Sequence, residues 1–220
     1  MNALYESDAL LSLTGGVLHP GGETLTMRAV GLAALCYGAR ILDVGCGTGA
    51  AVKLLRERGF DAQGIDASEK LAAMAASPYV MLGDGREITG RYDALLLECV
   101  LSLLGDRKAF LRSARSALLP GGKLILCEPY RKTACADALP VLSCVNGVPD
   151  LDGYRDMMEE AGFRRFALQD ETDALRSFLA MLIMAFGSAD AFLCQITGGC
   201  AAVPRGVRLG YAVSVWERDA

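Results

Sequence analysis

Residues 39–60 read ARILDVGCGTGAAVKLLRERGF, and this stretch decides the fold. ARILDVG (39–45) is apolar on both faces, the pattern of a strand covered by helices on each side. It breaks into a glycine-rich turn and resumes at helical spacing as far as Gly59, with Arg56 and Arg58 in the last turn, where cations complement the helix dipole. A buried strand, a glycine turn and a helix in that order open a parallel α/β sheet.

The alternation continues outward. DAQGIDAS (61–68) reads as a strand, with Ser68 placed to cap a helix over EKLAAMAAS that Pro78 stops. PYVMLGDG (78–85) and RYDALLLECV (91–100) give two more strands. DRKAFLRSARSALL (106–119) has helical apolar spacing, Pro120-Gly121-Gly122 reads as a turn, and KLILCEPY (123–130) as a strand. LDGYRDMMEEAGF reads as a helix and RRFALQDE as a strand; the region from Thr172 to about Leu193 is helical, and GYAVSVWERD (210–219) alternates as a final strand. A further helix, ETLTMRAVGLAAL, precedes the first strand. The expected architecture is one α/β domain over 1–220: a cap and helix at 1–38, a first part of the sheet at 39–130, and a second part that completes it at 131–220.

Composition agrees with such a domain. Hydrophobic residues make up 52% of 220 residues and charged residues 22%, enough apolar surface for a core and too much for disorder. The net charge of −4 and the lack of a basic run disfavour nucleic acid as a partner and suit a small polar or cationic ligand. A single histidine, His19, makes a mechanism built on a histidine pair improbable. Eight cysteines with no C-x-x-C pair, and a start without a basic n-region, are read as mostly reduced and buried thiols of a cytoplasmic protein, with no metal site expected. SFLAMLIMAF (177–186) is too short to span a bilayer; it is expected to be a buried helix, a lid or an oligomer contact through the apolar helix 174–186.

The turn carries the chemistry. Glycines let a ligand approach the backbone, and the helix behind them presents free N–H groups. Asp43 at the end of the first strand would repel a pyrophosphate but suits a cation. Asp66 follows Gly47 at the distance at which an acidic residue binds ribose hydroxyls in dinucleotide folds. It also fits an N-cap, although Ser68 can serve that purpose. Asp84, between Gly83 and Gly85, suits either an adenine amino group or a turn. Gly45, Gly47 and Ala50 also satisfy a loose dinucleotide pattern, so a nicotinamide-dependent oxidoreductase stays open.

ILDVGCGTG, GID, GDG, YDALLLECV and LPGGKLIL, in this order over residues 39 to about 130, resemble the successive motifs of class I S-adenosylmethionine-dependent methyltransferases. LHPGGETLT before the first helix is similar to a small bacterial subgroup of the methyltransferase-11 type. The resemblance implies a Rossmann-like, mostly parallel seven-stranded sheet with the last strand antiparallel and helices on both faces. It implies S-adenosyl-L-methionine as cofactor, S-adenosyl-L-homocysteine as product, and an unidentified small-molecule methyl acceptor reached by direct in-line displacement. On this pattern Gly45, Cys46, Gly47 and Gly49 line the methionine part of the cofactor, Asp43 holds its ammonium, Asp66 binds the ribose, Asp84 reads the adenine flanked by Ala67 and Gly85, and Glu98 and Cys99 end beside the methyl group. By position, Leu18, His19 and Gly21 cover the cofactor's open side.

No residue is required to act covalently in such a displacement. The catalytic candidates are Glu98, His19, Cys99 and Tyr130: Glu98 and His19 as a base, Cys99 at the strand end beside them, and Tyr130 either lining the acceptor pocket or packing. Thiolates bind soft metalloids, so an arsenite methyltransferase using Cys99 and Cys194 is an alternative, as is a non-catalytic cofactor-binding protein.

Overall fold

The computed structural model describes residues 4–133, 144–197 and 208–219. Cys135 and Cys200, two of the thiols counted above, lie outside them. The chain runs α1 (Asp8–Thr14), α2 (Gly22–Leu32), β1 (Arg40–Val44), α3 (Ala50–Glu57), β2 (Asp61–Asp66), α4 (Glu69–Ala75), β3 (Val80–Leu82), β4 (Tyr92–Glu98), a 3-10 turn (Leu101–Leu103), α5 (Arg107–Ala117), β5 (Leu118–Arg131), α6 (Leu151–Glu160), β6 (Phe163–Asp170), α7 (Thr172–Phe186), α8 (Ala189–Thr197) and β7 (Leu209–Arg218). Among the described residues the strands form one seven-stranded sheet in the order β3-β2-β1-β4-β5-β7-β6. Pairing is parallel except for β7, which runs antiparallel between β5 and β6. The α/β sheet expected from the alternating pattern is therefore present, and so is the reversed last strand that the resemblance implies.

The central strands are apolar on both faces because each face meets its own layer. Leu42, Val44, Leu95, Leu97, Leu124 and Leu126 point to a core completed by Phe110, Leu111 and Ala114 of α5 and by Tyr154 and Met158 of α6. The alternate residues Ile41, Ala94, Leu96, Ile125, Val213 and Val215 meet Leu25 and Ala29 of α2, Val52 and Leu55 of α3, and Leu175 of α7. This is the two-residue period of a strand. The cap read from the sequence forms, Ser68 Oγ accepting the N–H of Leu71 at 3.1 Å; Asp106 caps α5 in the same way, accepting the N–H of Ala109 at 2.9 Å.

The structure departs from the sequence reading in two places. α1 was not anticipated; Ser7 opens it and left-handed Gly15 closes it, and Leu10 and Leu11 are buried. Pro120-Gly121-Gly122 does not separate two elements. β5 is continuous, with Leu118 paired to Tyr92 and Lys123 to Ala94, so the excursion is a bulge anchored in the sheet on both sides. The apolar segment 177–186 lies in α7. Phe178, Leu182 and Phe186 pack with Leu4, Leu10, Leu18 and Phe192, while Leu179, Ile183 and Met184 face outward. No helix among the described residues is long and apolar enough to cross a membrane.

Chain order matters most for function. From β1 the chain builds outward to β2 and β3, then returns to place β4 on the other side of β1. The carboxyl ends of β1 and β4 therefore flank the point where strand order reverses, the place where ligands bind in open α/β sheets.

Candidate active site

A cavity of about 360 Å³ opens at that reversal. Its floor is Asp43 to Gly47 after β1, one wall is Asp66 to Ser68 after β2 with Gly83 and Asp84 after β3, and the other is Glu98 to Val100 after β4. The N-terminal segment closes it with Tyr5, Glu6, Val17, Leu18 and His19.

Gly45 makes the floor possible. It sits at φ 74°, and a Cβ there would lie 2.5 Å from Val100 Cγ2. Only glycine lets the loop pass beneath the opposite wall. Asp66 then fixes the loop: one carboxylate oxygen accepts the Gly47 N–H at 2.7 Å and the other accepts the Ser68 N–H at 2.8 Å. The Asp66 side chain thus joins the ends of β1 and β2 at the cavity wall, while Ser68 caps α4. Gly49 opens α3 at φ 76°, and Gly85 stands behind the wall against Val44. Neither lines the cavity, whereas Cys46 and Ala67 do.

Asp43 is 2% exposed and faces the cavity, and no protein hydrogen bond to its carboxylate is found among the described residues. Burial, with Glu98 and Asp66 nearby, pushes its carboxyl well above the usual carboxylate range. Burial beside Asp43 and Asp66 likewise raises the Cys46 thiol, which behaves there as a small apolar group.

Glu98 is held from two directions. The Thr26 hydroxyl of α2 donates to Oε1 at 2.9 Å, and His19 Nε2 lies 3.2 Å from Oε2. The other ring nitrogen of His19 lies 3.2 Å from the Pro20 carbonyl. The imidazole thus lies between the N-terminal segment and the end of β4.

Cys99 turns the chain out of β4 in a left-handed conformation, φ 62°. Its thiol meets the Tyr211 hydroxyl at 3.3 Å and is hydrogen-bonded with Cys144; this contact and burial raise its pKa well above the usual thiol value. Glu128 of β5 holds the turn from behind, Oε1 accepting the N–H groups of Val100 at 2.7 Å and Leu101 at 2.8 Å. Burial raises the Glu128 carboxyl to about 8. Its second oxygen is buried and unpaired.

Other candidates fall differently. Asp84 reaches the cavity rim, but its carboxylate accepts from the Arg86 side chain at 2.6 Å and the Arg86 N–H at 3.0 Å, which hold it below the usual carboxylate range. Tyr130 does not line the cavity; its hydroxyl donates to Asp170 at 2.6 Å. Cys99 meets Cys144. No group of three His, Cys, Asp or Glu side chains among the described residues is arranged to hold a metal. The sequence reading missed Tyr5, Glu6, Val17, Thr26 and Glu128. Of these only the first two carried a signal, lying just ahead of the Ser7 cap and the apolar DALLSL.

A family model described as a methyltransferase domain matches residues 24–168. The chain belongs to this methyltransferase-domain family. Its curated relatives include phosphoethanolamine N-methyltransferase 3 of Arabidopsis thaliana, 26% identical over 197 residues that cover 81% of this chain and 40% of that protein. Another is the O-methyltransferase cnsE of Penicillium expansum, 28% identical over 206 residues, 77% of this chain and 73% of that one. The methyltransferase domain thus spans about two fifths of the length of the Arabidopsis relative. Among solved structures, the cyclase SpnF superposes with a TM-score of 0.79 at 20% identity, covering 99% of this chain and 93% of that one. Phosphoethanolamine N-methyltransferase 2 of Haemonchus contortus, in complex with S-adenosyl-L-methionine, superposes with a TM-score of 0.73 at 15% identity, covering 96% and 56%. These two likenesses concern the fold.

Proposed function

We propose that this methyltransferase domain binds S-adenosylmethionine in the cavity at the β1–β4 reversal and transfers its methyl group to a small molecule. The observation that carries the reading is Asp43, a buried carboxylate that faces the cavity with no donor among the described residues. A ligand bearing an ammonium and a sulfonium satisfies that carboxylate; the pyrophosphate of a nicotinamide dinucleotide would meet it with like charge. The glycine loop supports the same reading, since its backbone lies open on the floor while Asp66 holds its shape.

S-adenosylmethionine supplies an already activated electrophilic methyl on a cationic sulfur. The chain's own contribution is placement. Asp43 and the loop from Gly45 to Gly47 hold the charged end, Asp66 and Ala67 the sugar side, and Asp84 and the wall near it the base. Glu98, anchored by Thr26 and His19, sets the wall next to which the acceptor must bring its lone pair, about 3–3.5 Å from the carbon it attacks. Tyr5, Val17 and Leu18 cover the cavity and exclude water.

Incubation with methyl-tritiated S-adenosylmethionine and a small-molecule extract of the source cells tests the proposal. Tritium should move to a new compound with wild-type protein and not with Asp43→Asn. Binding of the cofactor with no transfer from any extract would make the chain a non-catalytic binder.

A further inference from the structure

We propose that Glu128 of β5, a residue outside the cavity lining, is a positioning residue for methyl transfer: it sets the gap between the glycine-loop floor and the wall after β4, the gap that takes S-adenosylmethionine. The inference deepens the methyl-transfer reading above and rests on it. The chain reverses as it leaves β4. The Cys99 N–H still donates to the Cys127 carbonyl of β5 at 2.9 Å, but Cys99 itself enters the left-handed region at φ 62°. A side chain other than glycine adopts that conformation at a cost and keeps it only where its surroundings hold it. The next two N–H groups supply the hold. Those of Val100 and Leu101 both donate to Glu128 Oε1, at 2.7 and 2.8 Å. Glu128 is 3% exposed, and its backbone is paired with Ala212 inside the sheet, so the turn is tied to a fixed point.

The tie reaches the cavity through Val100. Its side chain lines the wall and also lies against the floor, where a Cβ on Gly45 would come within 2.5 Å of Val100 Cγ2. Beyond Leu101, which is fully buried, Leu103 and Leu104 continue the same wall. Floor and wall therefore meet at the Val100–Gly45 contact, and two hydrogen bonds to one oxygen set where Val100 stands. A close-packed interior passes a displacement at such a contact on to its neighbours rather than absorbing it. Without the Glu128 oxygen the two N–H groups would be buried donors left unmade, and the turn would have to move to reach another acceptor. Burial keeps the Glu128 carboxyl protonated up to about pH 8, so at neutral pH its hold on the turn requires an oxygen and not a charge.

Calorimetric titration with S-adenosylhomocysteine at pH 7 tests the role in two variants. Glu128→Gln keeps an acceptor oxygen in a neutral side chain, and Glu128→Met keeps the length of the side chain without an acceptor. Near-ultraviolet circular dichroism first establishes that each is folded. The expected result is that Glu128→Gln binds within about threefold of wild type while Glu128→Met loses about tenfold or more, the scale of one buried hydrogen bond left unmade. Folded Glu128→Met with wild-type affinity would make Glu128 a residue of the fold alone and overturn the inference. Equal losses in the two variants would overturn it as well, because an acceptor oxygen would then not be what holds the wall. If Glu128→Met does not fold, Glu128→Asp takes its place: it draws the oxygen back by one methylene, with the same expected loss and the same overturning result. No binding of S-adenosylhomocysteine by wild type would instead overturn the cofactor reading, and this inference with it.

Discussion

Replacing Asp43 by asparagine keeps the shape of the side chain and removes its charge, and the structure predicts opposite effects on the empty and the loaded protein. In the empty protein the carboxylate is 2% exposed and shares its surroundings with Asp66 and Glu98. Its folded-state pKa is raised, so the folded chain holds this proton more tightly than the unfolded chain. The sign follows: stability falls as pH rises above about 4, the unfolded carboxylate value, and on through the raised folded value. Asparagine removes that loss. For a chain of this size each kcal/mol recovered raises the melting temperature by about 2–4 °C. In the loaded protein the same carboxylate receives a charged donor, and losing a hydrogen bond of that kind costs about 1.5–3 kcal/mol, or about a 10- to 150-fold loss of affinity. Differential scanning fluorimetry without ligand and calorimetric titration with S-adenosylhomocysteine read the two effects at pH 7.5. A variant that melts below wild type, or that binds S-adenosylhomocysteine within twofold of wild type, would refute the argument that Asp43 is held in reserve for a cation.

Three further outcomes follow from the same geometry. Asp66→Ala releases the Gly47 and Ser68 N–H groups and should weaken S-adenosylhomocysteine binding by about 1–3 kcal/mol in calorimetry; unchanged affinity would remove Asp66 from the site. Gly45→Ala drives a methyl group to 2.5 Å from Val100 at φ 74° and should cost about 2–4 kcal/mol in urea unfolding; a variant as stable as wild type would show that the two walls can part. Glu128→Gln keeps an oxygen for the Val100 and Leu101 N–H groups but cannot ionise. Because the Glu128 carboxyl is raised from 4.5 to about 8, wild type should lose stability as pH rises through that window, and the melting temperature of the variant should fall less between pH 6 and pH 9; equal falls would contradict it.

Much of the fold was legible because it is written locally. The apolar runs at 41–44 and 94–97 can only be strands covered on both faces, and the Gly45–Gly49 turn between strand and helix marks the binding end of the sheet. Ser68 announced a helix start by its residue type alone. The parts of the site that rest on distant contacts were not legible. Thr26 reaches Glu98 across 72 positions of sequence, and Glu128 reaches Val100 across 28, with no periodicity or spacing to signal either. His19 is the only imidazole in the sequence, but its approach to Glu98 across 79 positions has no signal in spacing. Tyr130 stands at a strand end like the site residues, but its side chain turns to Asp170. The continuity of β5 through Pro120-Gly121-Gly122 was hidden because a bulge and a turn share the same residues.

The central claim is that the cavity at the β1–β4 reversal is built for S-adenosylmethionine, and parallel thermal melts with S-adenosylhomocysteine and with NADH test it most directly. A ligand at 100 times its dissociation constant stabilises the folded state by about 2.7 kcal/mol, or about 5–11 °C for a domain of this size. The account predicts a rise of that order with S-adenosylhomocysteine and none with NADH. A rise with NADH and none with S-adenosylhomocysteine would contradict it.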